Sequence, residues 1–184
     1  MPRYISFLRA VNVGGHVVKM NELKSFFQKL EFSKVETFIA SGNVIFESKS
    51  ADASSLERLI EERLHKLLGY KVTVFIRTDA EVVVIARQKP FAESDLNSAP
   101  TLVVGFLKKP FSEASRKFFL GLTSDTDLFS TRGREIFWLC RKRQRESKFS
   151  NAVFEKKFSL QTTFRGFTTI VKLAQRFPVS MHRS

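Results

Sequence analysis

Cysteine is nearly absent from this chain: Cys140 is the only one in 184 residues. A single thiol excludes an intrachain disulfide and fits a reducing, cytoplasmic setting. Histidine is scarce too. His16, His65 and His182 stand apart without cysteine neighbours, so a zinc site is not expected. No apolar run reaches the roughly 18 residues of a membrane span, so no membrane partner is expected. The start, Met1-Pro2-Arg3-Tyr4, lacks the basic-then-apolar pattern of a signal peptide. There is no Gly-Lys-Ser/Thr phosphate loop, no dinucleotide fingerprint and no Gly-x-Ser-x-Gly elbow, and no cofactor is implied. Tyr and Trp number two and one, whereas Phe occurs 20 times, so the expected core is built on Phe.

Acidic residues are the other shortage, 18 against 31 Lys and Arg, for a net charge of +13. The imbalance is local. From Thr131 to Ser184 there are 13 Lys and Arg against 3 acidic residues, leaving only +3 for Met1 to Ser130. Such asymmetry points to an anionic partner, nucleic acid or a phosphorylated ligand. A basic surface that serves solubility alone is the plain alternative.

Alternation and capping signals divide the chain. Tyr4 to Arg9 reads as a strand, and Met20 to Leu30 as a helix with Leu23, Phe26, Phe27 and Leu30 on one face. Val35 to Ala40 and Asn43 to Ser48 read as strands joined by a Ser41-Gly42 hairpin turn. Ser54 to Glu57 is a capping box opening a helix that ends at Gly69, and Lys71 to Arg77 alternates again. The order is β-α-β-β-α-β, the ferredoxin-like unit. Thr78-Asp79-Ala80-Glu81 is a second capping box, and Phe91 to Pro100 reads as a loop. Then come a strand from Thr101 to Leu107, a helix capped by Ser112, and strands near Asp127 to Thr131 and Glu135 to Leu139. Helices from Asn151 to Phe158 and Gly166 to Phe177 complete the chain. The expected fold class is α/β (α+β), two ferredoxin-like halves: β-α-β-β-α-β followed by α-β-α-β-β-α-α. The expected division is residues 1–78 as the first half, 79–100 as a connecting helix and loop, and 101–184 as the second half with basic C-terminal helices.

Three phrases carry candidate chemistry. Leu8-Arg9-Ala10-Val11-Asn12-Val13-Gly14-Gly15 leads from a strand through a glycine pair to the helix after Lys19. Glycines permit positive φ, and backbone N–H groups at such a turn can hold an anion. Ile39-Ala40-Ser41-Gly42-Asn43-Val44-Ile45-Phe46 is the second. It has a Gly and a Phe but lacks the exposed aromatic pair of RNA-binding sheets, so base stacking on this sheet is not expected. The third runs from Arg141 to Asn151 and resumes from Thr162 to Leu173.

These phrases resemble the bacterial family known as domain of unknown function 1697. That family opens with Leu-Arg-Gly-Ile-Asn-Val-Gly-Gly and carries Ser-Gly-Asn-Val after its first helix. The C-terminal phrase is similar to its Ser-Lys-Leu/Phe-Thr/Ser-Asn and Thr-x-Arg-Asn-Trp-Asn-Thr-Val-x-Lys-Leu phrases. By that match Ser147, Lys148, Asn151, Thr163, Arg165 and Lys172 occupy the family's polar positions. Ala10 stands where the family has Gly, and Gly166, Phe167 and Thr168 stand where it has Asn, Trp and Asn. The resemblance implies two small α/β halves and no particular reaction.

The candidate anion-binding residues are therefore Arg9, Asn12, Gly14, Gly15 and Lys19 in one cluster, and Ser147, Lys148, Thr163, Arg165 and Lys172 in another. With the first and third strands taken as parallel, the Asn12 loop and the Ser41 turn are expected at opposite ends of the sheet. If Ile5, Phe7, Val44, Phe46, Val72 and Val74 face the helices, Tyr4, Ser6, Leu8, Phe38, Ala40, Ile45 and Phe75 share the other face. That face needs a cover or is a binding platform. Three function classes remain: non-catalytic binding of an anionic ligand, nucleic acid included, by the basic C-terminal third; an enzyme acting on a phosphorylated small molecule or nucleotide; and a protein that pairs with itself as a homodimer.

Overall fold

A computed structural model describes residues 1–12, 14–39 and 42–179. The chain forms two compact units, Met1–Ala86 with Lys172–Ser184, and Arg87–Val171.

The first unit runs β1 (Arg3–Arg9), α1 (Met20–Lys29), β2 (Ser33–Phe38), β3 (Asn43–Glu47), α2 (Ala53–Leu68), β4 (Thr73–Thr78) and α3 (Asp79–Ala86). Its sheet order is β2-β3-β1-β4. All pairings are antiparallel, including β1 with β3, where Phe7 lies opposite Asn43. The parallel arrangement expected for these two strands is thus corrected. The crossover through α1 returns β2 parallel to β1, and the following reversal makes β3 antiparallel to both.

Tyr4, Leu8, Val44, Phe46, Val74 and Ile76 form the helix-side core with Leu23 and Phe27 of α1 and Leu56, Ile60 and Leu64 of α2. Tyr4 is opposite Phe46 and Leu8 opposite Val74, so the expected facing of β1 was inverted. Tyr4-Ile5-Ser6-Phe7-Leu8 is apolar at both parities, and alternation cannot choose a side there. The opposite face carries Ile5, Phe7, Ile45 and Phe75, all buried within the single chain. There α3 packs on β1 and β4 with Val82 and Ile85 buried. An exposed platform is therefore ruled out for these residues.

Two carboxylates of α2 seal the outer edge of β4. Glu57 Oε1 accepts from the Ile76 N–H at 2.9 Å, and Glu61 Oε1 from the Val74 N–H at 2.8 Å. An edge strand otherwise offers such donors to other chains. Glu57 is thus not part of a capping box: the cap of α2 is Asp52, whose Oδ1 accepts from the Ser54 N–H at 3.0 Å. The box at Thr78 is reciprocal as expected, Thr78 N to Glu81 Oε2 at 2.8 Å and Glu81 N to Thr78 Oγ1 at 3.1 Å.

The second unit runs α4 (Glu93–Ser98), β5 (Thr101–Phe106), α5 (Glu113–Leu120), β6 (Asp127–Arg132), β7 (Glu135–Cys140), a 3₁₀ turn (Gln144–Glu146), α6 (Asn151–Phe158) and β8 (Thr163–Gly166). The division between units falls inside the last helix, α7 (Phe167–Arg176). The sheet order, β6-β7-β5-β8, repeats that of the first unit, again antiparallel. The two-halved α+β class expected from the sequence is therefore present. Two elements differ from expectation: α4 lies where a loop was read, and β8 lies where Thr162 to Arg165 was read as a lead-in to the last helix. Four residues are too few to show a period, and the arginine in the middle hides the strand. The core is a Phe cluster, with ring centroids 4.9 Å apart for Phe119 and Phe129, 4.6 Å for Phe129 and Phe149, and 4.9 Å for Trp138 and Phe149.

Candidate functional site

The first cluster sits where β1 ends. Ala10 turns the chain with φ 65°, and the Val11 carbonyl accepts from the Tyr70 hydroxyl at 2.9 Å. Asn12 Oδ1 accepts from the Val18 N–H at 2.8 Å, tying the loop across its mouth. Gly14 and Gly15 both take positive φ, 63° and 83°, and stand exposed. His16 stacks on Tyr70, ring centroids 4.4 Å apart. The Lys19 N–H donates to Glu22 Oε2 at 3.1 Å, and Glu22 lies in the first turn of α1. That carboxylate occupies the N-terminal position an anion would take. Arg9 is half-buried and already engaged.

Gly42 meets this cluster. Its carbonyl accepts from the Leu8 N–H at 2.9 Å. A Cβ at Gly42, where φ is 72°, would come 3.0 Å from Val11 Cγ1 and 3.2 Å from Leu8 Cβ. The two N-terminal phrases therefore converge at one end of the sheet, and their expected separation is corrected. The cause is the antiparallel pairing: the end of β1 and the start of β3 lie side by side. Val13, Ala40 and Ser41, and with them the expected Ser41-Gly42 turn, lie outside the described residues, as does His182. Beside the loop is a cleft of about 650 Å³, walled by Val18, Leu23, Phe26 and Leu67, with His16 and Lys29 at its edge.

The second cluster divides. Ser147 Oγ donates to the Asp127 carboxylate, 2.8 Å from Oδ2 and 2.9 Å from Oδ1, and accepts from Phe149 N–H at 2.8 Å. Trp138 Nε1 donates to Asp127 Oδ1 at 2.7 Å. Asp127 is buried, so this network pins residues 147–149 to the start of β6. Thr163 and Arg165 are inside as well. The Arg165 guanidinium donates to Thr163 Oγ1 at 2.7 Å and to the Phe164 carbonyl at 2.9 Å, and only 8% of the residue is exposed. Burial pushes its pKa down to about 10, which leaves it charged at neutral pH. Lys172 is exposed and opens the stretch assigned to the first unit.

What remains outside is a run of cations. Arg141 is tied, donating to Asp95 Oδ1 at 2.7 Å and to the Asp125 carbonyl at 3.0 Å. Lys142, Arg143, Arg145 and Lys148 are exposed, and among the described residues none of these four side chains has a hydrogen bond or ion pair. Lys156 and Lys157 stand exposed on the last turn of α6. Lys142, Lys148 and Lys157 border a cleft of about 480 Å³. Lys157, not expected from the sequence as a neighbour of Lys148, lines the same cleft; the doubled lysine at a helix end was the available signal. Cys140 is fully buried and burial raises its thiol pKa, so the adjacent cations do not activate it. Among the described residues no three His, Cys, Asp or Glu side chains gather as a metal site, and no helix is long and apolar enough to cross a membrane.

Residues 1–137 match the family described as "Protein of unknown function (DUF1697)". The chain belongs to that family. The left-handed φ of Ala10 is one that Gly adopts without a Cβ penalty. The basic segment 142–157 lies beyond the matched residues. Among solved structures, a conserved bacterial protein, SP0830 of Streptococcus pneumoniae, is similar with a TM-score of 0.74, covering 96% of this chain and 98% of that one at 22% identity. At that identity the likeness shows the fold alone. No curated protein matches.

Proposed function

We propose that the protein binds a phosphate-bearing polyanion, nucleic acid foremost, without catalysis, through the exposed cations of its second unit. One observation carries this: within a single short segment the side chains of Lys142, Arg143, Arg145 and Lys148 stand exposed, with no hydrogen bond or ion pair among the described residues. Cations already paired with carboxylates have less to gain from a phosphate, whereas unpaired ones release counterions when they meet it. Lys156 and Lys157 extend the same charge along α6. The lone buried thiol fits a reducing cytoplasm.

Fluorescence anisotropy with a labelled oligonucleotide tests the proposal. Binding at low salt should weaken log-linearly with added salt, by about −0.7 to −0.9 in slope per phosphate contact. Absence of binding at low salt would remove it. The second possibility is an enzyme acting on a phosphorylated small molecule at Arg9, Asn12 and Lys19. The meeting of the two N-terminal phrases beside a cleft favours it. Against it, Asn12 Oδ1 and the Lys19 N–H are already bonded within the loop, and Glu22 repels anions at the start of α1.

A further inference from the structure

The cleft of about 480 Å³ in the second unit combines features that a bare charged surface does not have. Its rim carries Lys142, Lys148 and Lys157, while its floor is apolar, with Phe129, Phe149 and Val153. Three carboxylates share the lining and balance the lysines: Asp127 is buried and bonded to Ser147 and Trp138, while Asp125 and Glu146 are exposed and offer acceptors beside the cations. The volume lies within the about 300–1,000 Å³ of small-ligand sites. Cations beside an apolar floor with acceptors at its margin suit a nucleotide unit: the phosphate goes to the lysines, the flat base to the floor, and an exocyclic amino group to an exposed carboxylate. A duplex keeps its bases paired and stacked and cannot offer one to such a cleft, whereas a single strand can.

We infer that the second unit prefers single-stranded nucleic acid and seats one unpaired base in the cleft bordered by Lys142, Lys148 and Lys157. This rests on the proposed polyanion binding and goes beyond it, because charge alone would favour no such seat.

The test compares three labelled DNA probes of about 12 nucleotides on the full chain at one salt concentration: a single strand, its duplex, and a strand of abasic sugar-phosphates of equal charge. The single strand should bind about tenfold tighter than the abasic strand and also tighter than the duplex, as expected for one stacked base. Val153→Trp fills the floor without changing charge. It should erase the gap between the single and abasic strands while leaving abasic binding unchanged. Lys148→Ala should weaken all three. Equal binding of single and abasic strands by the unaltered protein overturns the base seat while leaving polyanion binding intact. A preference that survives Val153→Trp, with native circular dichroism, also overturns it. Failure of all three probes at low salt overturns both proposals.

Discussion

In the first unit, several cations meet carboxylates, while Lys29, Lys49 and Lys71 stand exposed with no ion pair among the described residues. Lys34 Nζ is 3.1 Å from Glu47 Oε1, Lys66 Nζ 2.6 Å from Glu62 Oε1, and an Arg176 nitrogen 3.1 Å from Glu36 Oε2. In the second unit, Arg141 has Asp95, but the next cations along the chain, Lys142, Arg143, Arg145 and Lys148, have no such partner among the described residues. Both units build the same sheet order on the same element order. Each also ties a helix carboxylate to its fourth strand or the residue before it: Glu57 to Ile76 in one, Glu155 Oε1 to the Thr162 N–H at 3.2 Å in the other. The difference is one of clustering: the second unit gathers four such cations between Lys142 and Lys148, whereas those of the first unit are scattered along the chain. Exposed ion pairs contribute little stability, so these pairs matter mainly by leaving Lys34, Lys66 and Arg176 less available.

The largest effect that would break this comparison is at Glu57. Glu57→Ala leaves the Ile76 N–H without its acceptor in a buried place and should cost about 3 kcal/mol, read by denaturant unfolding. A loss below about 0.5 kcal/mol, the range of an ordinary surface change, would show that the edge is not held this way.

Next come the backbone positions where the N-terminal phrases meet. Gly42→Ala adds a Cβ 3.0 Å from Val11 Cγ1 at positive φ and should cost about 2 kcal/mol. Ala10→Gly relieves a left-handed residue and should gain about 1 kcal/mol. If both changes destabilise, the geometry assigned to this junction is wrong.

Much of this was legible in the sequence, and the failures have causes. The Phe-based core, the Thr78 box and the Ser112 cap follow from composition and local capping chemistry, and each is present. The side of β1 was not legible, because Tyr4 to Leu8 is apolar on both faces apart from Ser6. β8 hid behind Arg165, a residue type that is mostly exposed but here lies buried with local acceptors. The same burial removes Arg165 and Thr163 from any open surface. Ser147 matched a family phrase, yet its hydroxyl is engaged by Asp127, a partner 20 residues away that no local pattern announces.

A smaller effect concerns pH. Tyr4 is buried, its hydroxyl donates to the Ser50 carbonyl at 3.0 Å, and burial raises its pKa above the usual 10.0. In the unfolded chain this hydroxyl ionises first. Its contribution to stability is therefore complete below about pH 10 and is lost as pH climbs through the higher folded value. Tyr4→Phe should be less sensitive to alkali than the unaltered protein in unfolding curves taken across that window. Equal sensitivity would show that Tyr4 does not carry it.

The most direct measurement compares the salt dependence of oligonucleotide binding in the unaltered protein and in a chain carrying Lys142→Ala, Arg143→Ala, Arg145→Ala and Lys148→Ala. All four sites are exposed, so each replacement should shift stability by no more than about 0.5 kcal/mol. The magnitude of the slope of log K against log salt should fall by about 3. An unchanged slope in a folded variant would contradict the assignment of polyanion binding to these four cations.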